Sequence, residues 1–137
     1  MTVYVPQRAA RDCVICTLAM ATGRSYDSVM AAALLRRAYE PDVGVRNEQS
    51  ILAQLGLAWR GDFVEYDRGI LDAEYFKNVA WGRRAVMSVP SLNDSDPKLE
   101  HSVYWSGNRL YDPSLGRRYA DWSLLRPSGM ILFHERR

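Results

Sequence analysis

The stretch Gln7-Arg8-Ala9-Ala10-Arg11-Asp12-Cys13-Val14-Ile15-Cys16-Thr17-Leu18-Ala19-Met20-Ala21 organises the reading of the whole chain. Asp12 is placed to cap a helix running from Cys13 to Ala21, and Gly23 stops it. Apolar side chains nearly encircle this helix, which predicts a central, buried element. Ser25 opens a second helix predicted over residues 26 to about 39, with Val29, Ala32, Ala33 and Arg36 at helical spacing and Pro41 ending it. Asn47 caps a third, whose apolar stripe is Ile51, Leu52 and Leu55 before Gly56. A further short helix is expected over residues 71–79, ahead of Gly82.

The second half changes period. Residues 84–90 read as a strand. Residues 102–105 and 109–111 flank Ser106-Gly107-Asn108, a glycine-containing turn suited to a hairpin, and residues 130–133 supply a last strand. Helices first and strands afterwards predict an α+β fold, with the N-terminal helices packed on a C-terminal antiparallel sheet. No repeat, linker or low-complexity tract divides the 137 residues, so a single domain spanning 1–137 is expected.

Composition narrows the function classes. Apolar residues make up 47% of the chain and charged residues 25%, enough to bury a core without disulfide staples. Net charge is +2, and the pairs Arg36-Arg37, Arg83-Arg84, Arg117-Arg118 and Arg136-Arg137 are scattered, so no nucleic-acid footprint is expected. Nothing approaches the roughly 20 apolar residues that span a bilayer, so no membrane partner is expected. The opening residues carry no charged leader or hydrophobic region of a secretory signal. Two cysteines three apart make no disulfide framework, and a reducing, cytoplasmic setting is expected.

Chemistry concentrates on four residues. Cys13 falls at the start of the first helix, where unpaired N–H groups and the macrodipole favour the thiolate, the species that attacks, while the neighbouring Asp12 carboxylate opposes it. There are two histidines, and His101 lies just before a predicted strand, where it can reach a thiolate on a neighbouring helix. Asp112 lies across the proposed hairpin from His101, placed to accept an imidazole N–H and hold the ring. Gln7, just upstream of the helix, can donate its amide to an oxyanion, with the Cys13 N–H as second donor.

This run, together with His101 and Asp112-Pro113, resembles the C39 family of cysteine peptidases, in which a Gln precedes Asp-Cys and a small-apolar helix ending in Leu-Ala-Met. The third helix resembles the family's Leu-x-x-x-Gly element. The resemblance implies a papain-like cysteine proteinase fold and a thiol protease: Gln7 as oxyanion-hole donor, Cys13 as nucleophile, His101 as base and Asp112 as orienting residue of a catalytic triad. It implies a peptide or protein substrate and no cofactor or metal. Two departures stand out. Val14 replaces the glycine usual after the nucleophile, where it is expected to crowd the substrate's approach, and the interval from His101 to Asp112 is short. No transporter segment follows, so a role in peptide export is not expected.

Other readings stay open. Cys13 also fits a small buried hydrophobe, His101 an ordinary histidine, and Asp112-Pro113-Ser114 a plain turn. Cys16 reads as core and His134 as surface. The Cys13-Val14-Ile15-Cys16 spacing matches a redox motif but lacks the preceding strand, and no zinc-finger spacing is present. Trp105 or Trp81 is expected to line a cleft. Against the hydrolase stands a non-catalytic papain-like scaffold that grips a peptide or protein, as a compact phage or bacterial accessory domain would.

Overall fold

The computed structural model describes residues 2–56, 61–65, 78, 80–90, 100–114 and 129–133. In chain order the elements are α1 (Cys13–Thr22), α2 (Tyr26–Leu35), β1 (Tyr39–Glu40), β2 (Gly44–Val45), α3 (Glu48–Gln54), β3 (Gly61–Glu65), β4 (Ala85–Pro90), β5 (Glu100–Trp105), β6 (Leu110–Tyr111) and β7 (Gly129–Phe133). The fold is α+β. Five strands form one antiparallel sheet in the order β3-β7-β4-β5-β6, and β1 pairs with β2 in a small second sheet.

Helix α1 is the hinge between the layers. Ile15, Cys16, Leu18 and Ala19 are buried, and the helix packs on β5, β4 and α2. Against it lie Val86 and Tyr104 of the sheet, and the hydroxyls of Thr17 and Ser102 meet at 2.8 Å inside this contact. The alternate residues Ala85, Met87, Val89, Val103 and Trp105 are buried too. The sheet centre is therefore covered on both faces, which explains why residues 84–90 carry few polar positions.

Helix α2 ends at Leu35, four residues before the expected stop at 39. Arg37 adopts the left-handed conformation (φ 52°), Arg37 N–H donates to the Leu34 carbonyl and Ala38 N–H to the Ala33 carbonyl. This is the Schellman pattern, closed by the burial of Ala33 beneath Ala38. The ending was hidden in the sequence because an arginine occupies the position that glycine usually takes. Tyr39 and Glu40 then extend and pair with Val45 and Gly44. Gly44 has no freedom to change, since a Cβ there would sit 2.8 Å from the Arg11 carbonyl oxygen.

Strand β3 and the β1–β2 pair were not anticipated from the sequence. The helix expected over residues 71–79 lies outside the described residues except for residue 78, and His134, Trp59 and Trp122 lie outside them as well. Among the described residues, no helix is long and apolar enough to cross a membrane.

Candidate active site

The site forms where three segments converge: the loop before α1, the start of β5, and the residues after β6. Cys13 is the first residue of α1, so its N–H belongs to the first-turn group that has no intrahelical acceptor. No acidic residue occupies that first turn.

Asp12 does not cap the helix as the sequence suggested. Its side chain makes no cap hydrogen bond and instead turns back into the preceding loop. One carboxylate oxygen accepts from the backbone N–H groups of Arg8 (3.0 Å) and Ala9 (3.1 Å) and from the Tyr26 hydroxyl (2.6 Å). The other oxygen accepts from Gln7 Nε2 at 3.3 Å. A fully buried carboxylate is costly unless donors surround it, and here they also fold the 7–12 loop around it. Burial, followed by the hydrogen bond to Asp12, pushes the Tyr26 phenol up, so that it stays a donor. Tyr26 was missed at the sequence level: no spacing rule links the first residue of one helix to the residue before another.

His101 is the second residue of β5, paired with Val89, rather than a residue ahead of the strand. Its Nε2 meets Asp112 Oδ1 at 2.6 Å, with the two side chains only 11% and 1% exposed. The pairing Tyr104 with Tyr111 sets the hairpin register. It carries Asp112 two residues out of step with His101, so the contact is diagonal rather than directly across, a distance still within reach of these side chains.

Asp112 is itself held. Its Oδ1 accepts from the Ser114 N–H at 2.9 Å, its carbonyl accepts from the Tyr4 hydroxyl at 2.5 Å, and the Gln7 N–H donates to the Pro113 carbonyl at 2.8 Å. The extended N-terminal segment thus straps the end of the hairpin. Val3-Tyr4-Val5 ahead of Pro6 carried the signal for an extended segment, but not for its partner.

The Cys13 thiol lies close enough to the imidazole to raise its pKa, as a hydrogen-bonding and charged neighbour. With Nε2 engaged by Asp112, Nδ1 is the nitrogen left for it. Burial works to lower the pKa of His101, but the hydrogen bonds to Asp112 and Cys13 and their negative charges outweigh it, raising it to about 9. The ring is therefore cationic at neutral pH. Cys16 behaves differently. Burial, then the charges of Asp12 and Cys13, push its thiol up, and its Sγ–H donates to the Pro6 carbonyl at 3.5 Å.

Gln7 is brought beside the site, but its Nε2 already donates to the Ala9 carbonyl (3.2 Å) and to Asp12. Val14 packs against the hydrophobic core, so part of its bulk is turned away from the thiol's approach. Trp105 is buried and sits at the far end of β5, four residues from His101, with Trp81 stacked beside it. The sequence pointed to them because aromatic residues line many clefts, but strand register puts Trp105 four residues along β5 from His101, and Trp81, in the turn before β4, packs against it. Among the described residues, no group of three or more His, Cys, Asp or Glu side chains is arranged to hold a metal ion.

No family model matches the chain, and no match was found among curated proteins or solved structures.

Proposed function

We propose that this protein is a papain-like thiol hydrolase of peptide or amide bonds, working in a reducing compartment such as the cytoplasm. The carrying observation is the Asp112–His101 contact of 2.6 Å on an imidazole that the Cys13 thiol also influences electrostatically. A helix-start cysteine, an imidazole held in one orientation and a buried carboxylate behind it are the parts that thiol acyl transfer needs. The order Gln7, Asp12-Cys13, His101, Asp112-Pro113, similar to that of C39 peptidases, supports the same reading.

In this mechanism the Cys13 sulfur attacks the substrate carbonyl carbon, and the developing oxyanion is met by the Cys13 N–H and the Gln7 amide. The His101 imidazolium gives its proton to the departing amine, leaving a thioester on Cys13. His101 then takes a proton from water, which attacks the thioester and releases the acid. Asp112 holds the ring so that Nδ1 faces sulfur throughout.

A second reading, a non-catalytic scaffold that grips a peptide or protein, is favoured by one observation: both Gln7 amide protons have acceptors in the loop. Oxyanion stabilisation requires one of these to be exchanged for substrate.

The experiment is a pair. Iodoacetamide at neutral pH is expected to label Cys13 at least about tenfold faster than Cys16, with His101→Ala slowing Cys13 alone. A peptide library read by mass spectrometry is expected to show products that Cys13→Ala does not form. Equal, slow labelling of both thiols overturns the hydrolase; a fast Cys13 without any product selects the scaffold.

A further inference from the structure

Cys16 has no part in the chemistry above, yet it stands one turn below the nucleophile on the same helix. It is fully buried, and its thiol donates to the Pro6 carbonyl at 3.5 Å. We propose that Cys16 is a resolving thiol: when peroxide oxidises Cys13 to the sulfenic acid, Cys16 condenses with it to form a Cys13–Cys16 disulfide that shuts the site reversibly. The inference rests on the reading of Cys13 as a reactive thiolate.

The geometry allows the bond. In an α-helix, Cα atoms three residues apart are about 5 Å from each other, inside the window of about 4.4–6.8 Å that disulfides occupy. The Cβ atoms, about 5–6 Å apart in a regular helix, must close to about 4 Å. Only the first turn need tighten for this; the N–H groups of Cys13, Val14 and Ile15 have no intrahelical acceptors, and the bond that must bend with it is the Cys16 N–H donation to the Asp12 carbonyl at 3.1 Å. Cys13 is the first residue of α1, so it can rotate towards Cys16 while the buried helix stays in place. Oxidation past the sulfenic acid would destroy the nucleophile irreversibly, and a neighbouring thiol prevents that.

The electrons and atoms balance with peroxide as oxidant. The Cys13 thiolate attacks one peroxide oxygen, forming an S–OH bond as the O–O bond breaks and hydroxide leaves. The Cys16 sulfur then displaces the hydroxyl from Cys13. That hydroxyl takes a proton from His101 and leaves as water, and the Cys16 thiol proton restores the imidazolium. A dithiol reverses the change, returning both thiols and becoming a disulfide itself. Because burial holds Cys16 as the thiol, it does not compete as a nucleophile in the reduced protein.

The full-length protein, treated with a few equivalents of hydrogen peroxide and then alkylated, gives a tryptic peptide spanning residues 12–24 that contains both cysteines. This peptide is expected to lose two hydrogens and take no alkyl group, and dithiothreitol is expected to restore nearly all Cys13 labelling. Cys16→Ala, with Cys16→Ser as a second variant should the smaller side chain leave a damaging cavity, is expected to keep fast Cys13 alkylation. After peroxide it should instead become labelled by dimedone at least about tenfold more than the parent, then pass to irreversible sulfinic acid. A fast-alkylating Cys13 that goes to sulfinic acid in the parent, or bridges two chains on a non-reducing gel, overturns the inference and leaves the hydrolase reading untouched. Slow alkylation of Cys13 in the reduced parent removes both.

Discussion

The two ends of β5 place opposite demands on the same strand. At its start, His101 and Asp112 are withdrawn from water as a hydrogen-bonded pair, and the Asp112 carboxylate helps keep the imidazole charged there. At its end, Trp105 is buried as an apolar mass, its lone polar atom satisfied by Nε1–H donation to the Ala80 carbonyl at 2.8 Å. Trp81 leans on it, ring centroids 5.6 Å apart, and Gly82 N–H donates to the Gly107 carbonyl at 2.7 Å to close that corner. Gly107 is required there: its φ is 110°, and a Cβ would press to 3.3 Å against the Gly82 backbone. The aromatic end stabilises the sheet. The polar end holds a buried, hydrogen-bonded pair of titratable groups.

Substitutions can separate the two ends. The largest expected effect is on chemistry at the polar end: Asp112→Asn should lower turnover of the best library peptide by roughly 10³-fold through loss of the imidazole's orientation. The protein should stay folded by circular dichroism, and an unchanged rate would dissolve the distinction between the ends. Next comes stability at the aromatic end. Trp105→Ala should cost about 3–5 kcal/mol in urea unfolding, while Cys13 alkylation in the fraction that remains folded keeps its rate.

Between about pH 6.5 and 9 the pH dependence of stability should follow the polar end. The folded pKa of His101 is raised to about 9 from the ordinary 6.5, so its contribution is complete below about pH 6.5 and is lost as pH rises through 9. The shift corresponds to at most about 3 kcal/mol. His101→Gln should flatten the urea midpoint across that window, whereas a pH slope surviving in the variant would place the titration elsewhere. The smallest effect tests the strap. Tyr4→Phe removes the hydroxyl bond to the Asp112 carbonyl and should cost about 1 kcal/mol, with a modest slowing of Cys13 alkylation. A loss of stability without any change in alkylation would show the strap to be structural only.

Much of this was legible before any coordinates. Gly23 does end α1 in the left-handed conformation, and the Ser25 and Asn47 side chains do cap α2 and α3 by accepting from Ser28 and Ser50 N–H groups. These are local events, governed by residues three or four apart, and local chemistry is what a linear sequence displays. Asp12 misled for the same reason. Its position before a helix is the signature of a cap, but its donors come from Arg8, Ala9 and Tyr26, a competition that only the folded loop can decide.

The sequence by itself determined the residue types at the site, the helix that opens with Cys13 and the change to strand period after residue 84. Tertiary structure alone decided the diagonal register that joins His101 to Asp112, the strap from Tyr4 and Gln7, and the removal of Trp105 from the site. The reason is range. Helix caps and turns act within one turn of chain, whereas a cross-strand contact depends on which of many possible pairings buries the most surface, a sum over the whole molecule that no short stretch of sequence contains.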